Sequence, residues 1–281
     1  MNVHWTFVVP RKARNAAVPL RIRRPGIPHG AQTCLPSTYA VRPIPLVSFF
    51  SSRLQSSTRI ERWSLANAAA VLLAAVGTVW AHAVAPLLLG GGLMLGLFVA
   101  VERGQWTPKG VFGIANAVTA ARIGLLGLLP PAVALHPAAL IALSLLILAL
   151  DGLDGRLARQ RALSSEFGAF FDKESDALFL LVLCALTTFH GPLPAWILGA
   201  GLLRYGFVVA VFLLPTPQNR ETRSTWARYV YGCMVGALLV SFLPYPTLYR
   251  PVVAVATAAL VASFGRSLWG IVAPQWALGE P

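Results

Sequence analysis

Apolar windows close to the roughly 20 residues that a helix needs to cross a bilayer recur at about residues 64–81, 84–101, 116–135, 137–155, 170–189, 194–214, 228–243 and 251–271. A chain built this way has few options. No water reaches the hydrocarbon to satisfy backbone N–H and C=O groups, so only helices or closed barrels can span it, and long unbroken apolar runs select helices. The windows predict an all-α, polytopic membrane helical bundle. A composition of 56% hydrophobic and only 12% charged residues excludes an ordinary soluble domain. The second window carries three consecutive glycines in LLLGGGLMLG, so the first pair is expected either as two spans or as one broken segment.

Lys and Arg are retained in cytoplasmic loops. One side collects Arg53, Arg59 and Arg62, then Arg103 and Lys109, then Arg156, Arg159 and Arg161, then Arg220, Arg223 and Arg228, against Arg250 alone on the other. The first side is therefore read as cytoplasmic, with both termini there. The net charge of +13 does not imply nucleic acid, because residues 1–60 hold nine basic residues and no acid. This stretch, rich in Arg, Pro and Ser, reads as a basic disordered tail. A tail near anionic lipid, an organelle transit peptide and a start assigned too far upstream all fit it. Residues 61–110 then read as an accessory transmembrane hairpin and 111–281 as the core. Cys34, Cys184 and Cys233 offer neither a disulfide framework nor a metal pair.

Acidic residues are scarce, and their placement is the chemical signal. Six of ten lie in DGLDGRLARQRALSSEFGAFFDKESD, residues 151–176, between two apolar runs. At 100° per residue, Asp151 and Asp154 stand about 60° apart on one helix, and Asp172 and Asp176 about 40° apart on the next. Each pair shares a face. Gly155, Ala158 and Gly168 keep those faces small where helices and a ligand must approach. The stretch predicts a helical hairpin with two carboxylate pairs facing each other at the membrane edge. An ionised Asp at membrane depth costs roughly 2.5–3.5 kcal/mol, so a compensating cation is required. Oxygen-only ligands in pairs suit hard divalent ions such as Mg²⁺, Mn²⁺ or Ca²⁺; the bland alternative is a solvated, salt-bridged turn.

The pattern D-x-x-D-G-x-x-A-R, eight residues, G-x-x-x-D-x-x-x-D resembles the signature of the CDP-alcohol phosphotransferase (CDP-alcohol phosphatidyltransferase) family at every fixed position: Asp151, Asp154, Gly155, Ala158, Arg159, Gly168, Asp172 and Asp176. A shorter likeness, Asn116, Thr119 and Arg122 in FGIANAVTAARIG, is similar to the motif opening the family's first core helix. The resemblance implies a six-helix catalytic core that moves a phosphatidyl or similar group from a CDP-linked donor to an acceptor alcohol, releasing CMP. It implies Mg²⁺ or Mn²⁺, as one or two ions, on Asp151, Asp154, Asp172 and Asp176, with Asp176 also the general base. Asn116, Thr119, Arg122, Gly155, Ala158, Arg159 and Gly168 would line the nucleotide and donor pocket. A homodimer is implied in the same way. Partners are thus a CDP-linked lipid donor, an acceptor alcohol and membrane lipids, with no nucleic acid; the location is a bacterial inner membrane or, failing that, an organelle inner membrane.

Several positions stay open. Arg204 sits mid-span in GLLRYGFVV and either pairs with Glu174, which points about 200° away from Asp172, or binds the acceptor. Arg220, Arg223 and Arg228 are either positive-inside charges or clamps for a phosphorylated acceptor. A CDP-amino-alcohol donor with diacylglycerol as acceptor fits the motif equally. A membrane prenyltransferase fits less well, because those enzymes resemble N-D-x-x-D-x-x-x-D in their first motif and Asp151 is preceded by Ala149 and Leu150. A non-enzymatic cation carrier leaves Gly155, Ala158 and Arg159 without a role.

Overall fold

The computed structural model describes residues 57–160, 165–214 and 225–272, except for the side chains of 153–160, 225 and 272. The chain divides into two units, Met1–Ile44 and Pro45–Pro281, and every described residue belongs to the second. The described residues form nine helices and no strand. They are α1 (Arg59–Ala81), α2 (Ala85–Val101), α3 (Ile114–Leu126), α4 (Leu129–Leu135), α5 (Pro137–Gln160), α6 (Glu166–Phe189), α7 (Ile197–Leu213), α8 (Thr225–Val240) and α9 (Pro246–Val272).

Local chemistry sets the helix starts. Thr58 caps α1 in a reciprocal box: its hydroxyl accepts from the Glu61 backbone N–H at 3.2 Å, and its own N–H donates to the Glu61 carboxylate at 2.8 Å. Ser165 caps α6 by accepting from the Gly168 N–H at 2.9 Å. The expected span 116–135 is two helices, bent by 45° between α3 and α4. Pro130 and Pro131 lie in the first turn of α4, where a missing N–H costs nothing and where they stop α3 from continuing.

The first two windows are separate helices, and the three glycines lie inside α2 without breaking it. Packing explains two of them. A Cβ on Gly90 would stand 2.9 Å from the Ala74 methyl, and one on Gly91 only 2.6 Å from Leu178 Cδ1. Close approach, rather than a break, is what the glycines provide.

Helix α6 is the hub of the bundle, touching α1, α2, α3, α7 and α8. Its run from Ala177 to Thr187 is buried on every side, as expected for a helix apolar all round. By contrast α5 packs chiefly on α3 and α4. Helix α3 thus lies against both aspartate-bearing helices, and carboxylates from the two, Asp151 on α5 and Asp172 and Asp176 on α6, come within 4.8 Å of one another.

Several apolar helices could span a membrane. Helix α1 and Pro246–Ile271 of α9 are long and apolar enough by themselves, and the bent α3–α4 pair is a third if counted as one span. Helices α2 and α7, with Pro137–Gly152 and Trp226–Val240, are apolar but shorter. Seventeen residues reach only about 26 Å at 1.5 Å each, a few ångströms short of a typical hydrocarbon core. The eight windows are thus helical, while fewer than eight meet the full length.

Candidate active site

Three aspartates from two helices converge. One carboxylate oxygen each from Asp151 on α5 and from Asp172 and Asp176 on α6 lie within 4.8 Å of one another. Buried Arg122 of α3, 1% exposed, reaches all three: it donates to Asp151 at 2.9 Å, to Asp172 at 3.1 Å and to Asp176 over a shorter contact. The carboxylates themselves are 27%, 40% and 24% exposed. The cluster is open on one side and anchored by a guanidinium on the other.

An arginine inside an apolar span requires an anionic partner, and for Arg122 the aspartate set supplies one within the chain. Among the described side chains of the cluster, three carboxylates outnumber the one guanidinium they share, an excess of negative charge when all are ionised. Such an excess in a half-buried place attracts cations. The donor set suits a divalent ion: three carboxylate oxygens gather within 4.8 Å of one another, and every donor is a hard oxygen.

The neighbouring motif positions are also brought together. Asn116 donates from Nδ2 to the carbonyls of Phe112 at 2.5 Å and Trp106 at 3.4 Å, and its Oδ1 lies against Gly168, where a Cβ would stand 2.9 Å away. Gly168 therefore permits the start of α6 to approach α3. The Ser165 hydroxyl donates to the same Trp106 carbonyl at 2.6 Å. Thr119 is buried and donates to the Ala115 carbonyl at 3.2 Å, one turn before Arg122.

Arg204 on α7 pairs with Glu174, Nη2 to Oε1 at 2.8 Å, with Glu174 1% exposed. Arg228 is exposed on the first turn of α8. The side chains of Asp154, Gly155, Ala158 and Arg159, on the last turns of α5, lie outside the described residues, as do Arg220 and Arg223. Two residues escaped sequence reasoning. The Tyr231 hydroxyl on α8 donates to the Asp176 carbonyl at 3.3 Å; it lies three residues after Arg228, and no spacing marked it. Asn67 on α1 donates to Glu174 Oε2 at 2.8 Å, across a sequence separation that no local pattern can reveal.

Apolar helices that could span a bilayer, with a half-open carboxylate cluster among them, are consistent with a multi-pass helical membrane protein carrying an acidic site. A family model described as CDP-alcohol phosphatidyltransferase matches residues 112–266, more than half of the 281-residue chain. The chain belongs to the CDP-alcohol phosphatidyltransferase family. No curated protein and no solved structure matches it. The protein is accordingly a transferase of substituted phosphate groups, and membership implies phosphatidyl transfer from a CDP-alcohol in phospholipid biosynthesis. The family is typically dependent on divalent metal, and the acidic cluster is the feature here that accords with it. The match begins after α2, so α1 and α2 precede it.

Proposed function

We propose that this enzyme transfers a phosphatidyl group from CDP-diacylglycerol to the hydroxyl of an acceptor alcohol, releasing CMP at the cytoplasmic face of a bacterial inner membrane. The observation that carries the reading is the convergence of Asp151, Asp172 and Asp176 within 4.8 Å beside buried Arg122. Asp151, Asp154, Asp172 and Asp176 would hold Mg²⁺ or Mn²⁺, which when bound neutralises the pyrophosphate of the donor and the charge developing on departing CMP. Arg122, with Asn116, Thr119 and Arg159, would orient the donor phosphates and nucleotide, and Gly155, Ala158 and Gly168 would keep the backbone close to it.

In the transfer, the acceptor oxygen forms a bond to the phosphatidyl phosphorus while the anhydride P–O bond to CMP breaks. The acceptor proton goes to a carboxylate, for which Asp176 is the choice: it is the most enclosed of the three, and Tyr231 fixes its backbone. Arg228, with Arg220 and Arg223, would receive a phosphorylated acceptor. The positive-inside pattern supports the cytoplasmic assignment. Glu174 occupies Arg204, which supports a structural role for that pair over acceptor binding.

The test is CMP release by the purified full chain from CDP-diacylglycerol with a panel of acceptors, including glycerol 3-phosphate, an inositol phosphate and neutral alcohols. Release that depends on one acceptor supports the reading and identifies the alcohol. Turnover only with a CDP-amino-alcohol and diacylglycerol would replace it with the reverse division of substrates.

A further inference from the structure

The helix pair α1–α2 lies outside the family match, yet it is joined to the aspartate helix at three heights. At the site end, Phe98 of α2 stacks on Phe167 with ring centroids 4.8 Å apart and tilts against Phe170 at 4.6 Å. Further along, Gly91 packs against Leu178 so closely that a methyl group would not fit. Between them lies a buried polar chain: Asn67 of α1 donates to Glu174 Oε2 at 2.8 Å, and Arg204 of α7 donates to Glu174 Oε1 at 2.8 Å. Asn67 is 3% exposed and Glu174 1%.

The position of Glu174 gives this chain its consequence. Two residues along a helix is a turn of about 200°, so Glu174 points away from Asp172, and from Asp176 on its other side. Holding Glu174 between α1 and α7 therefore fixes the rotation of α6 that presents the two aspartates to Arg122. The apolar contacts at Phe98 and Gly91 restrain this rotation as well, and the buried carboxylate adds a directional restraint. A buried carboxylate cannot leave its donors without losing them at full desolvation cost.

We propose that α1–α2 is a positioning element for the active site, acting through Asn67 and Glu174 to set the rotation of α6 and hence the placement of Asp172 and Asp176. Asn67 is a positioning residue; it touches neither metal nor substrate. The inference rests on the reading that these aspartates hold a divalent ion.

The experiment measures Mn²⁺ binding to the full chain in detergent by electron paramagnetic resonance, without donor, alongside kcat and KM for CDP-diacylglycerol. Asn67→Leu keeps the branched shape, with a larger volume, and removes the amide donor. Its expected Mn²⁺ affinity is about tenfold weaker, the scale seen when groups behind metal ligands are lost, with kcat reduced more than KM is raised. Asn67→Gln, which restores an amide, recovers part of the affinity. Leu73→Ala, on the outward face of the same helix at 74% exposure, binds Mn²⁺ like the parent.

Asp172→Asn separates the two levels of the argument. If it binds Mn²⁺ as tightly as the parent, or the parent binds none, the metal reading itself fails. If Asp172→Asn loses Mn²⁺ while Asn67→Leu keeps parental affinity, the positioning role is overturned and the metal reading stands. If Asn67→Leu does not accumulate as folded protein, Asn67→Ala against Asn67→Gln decides: tighter binding by the Gln variant supports the role, and equal binding overturns it.

Discussion

Asp172 and Glu174 are carboxylates two residues apart on one helix, and they live in opposite worlds. Asp172 is 40% exposed and shares one guanidinium with two other aspartates. Glu174 is 1% exposed and has an arginine on one oxygen and an amide on the other. The difference lies in setting: Glu174 is enclosed with Arg204 and Asn67, whereas three aspartate carboxylates gather at one guanidinium and stay partly exposed. An enclosed pair maintains architecture; an accessible cluster is available to a ligand. On one helix, the two faces separate structure from chemistry.

Substitutions on the two faces are therefore expected to fail differently. Asp176→Asn, on the open face, should lower kcat about 10²- to 10⁴-fold while thermal unfolding in detergent changes little. If it retains donor and metal affinity, it acts as base; if Asp176→Asn and Asp172→Asn lose metal affinity alike and excess metal rescues both, the base assignment falls. Glu174→Leu, on the closed face, strands Arg204 and should cost about 3–5 kcal/mol of stability, read as a lowered unfolding temperature. Unchanged unfolding would remove the distinction between the faces.

Smaller effects sharpen the comparison. Gly168→Ala places a methyl 2.9 Å from Asn116 Oδ1, and relieving that contact should cost about 1–3 kcal/mol. Activity should fall with it, because the start of α6 must then move from α3. The least effect belongs to Leu73→Ala, whose side chain faces outward and whose loss should stay within about 0.5 kcal/mol. Parental activity in Gly168→Ala would show that the close approach is dispensable.

Much of the site was legible because helical geometry converts spacing into shared faces. Asp172 and Asp176 at i and i+4 must lie together, and Arg122 inside an apolar run must find an anion; both rules are local. The identity of that anion was not local, since Arg122 and Asp176 meet only through the packing of α3 on α6. For the same reason the spacing of the aspartate pairs gave no sign of α3, the helix that lies against both. The window 116–135 read as one span because only Asn116, Thr119 and Arg122 interrupt its apolar run, yet Pro130 and Pro131 start a new helix there. Asn67 gave no signal at all: one amide in an apolar helix is unremarkable until its distant partner is known. The three glycines of α2 raised the expectation of a broken segment, whereas α2 is unbroken and Gly90 and Gly91 lie at close helix contacts.

The central claim is that Asp151, Asp172 and Asp176 form a divalent-metal site serving a CDP-linked donor. The most direct measurement follows CMP formation from CDP-diacylglycerol, in the presence of the acceptor that supports turnover, by purified protein stripped with chelator and then titrated with Mg²⁺ or Mn²⁺. The account predicts no CMP in chelator, recovery on titration, and no recovery at the same metal concentrations in Asp151→Asn or Asp172→Asn. Full CMP release in excess chelator, or parental metal dependence in both variants, would contradict it.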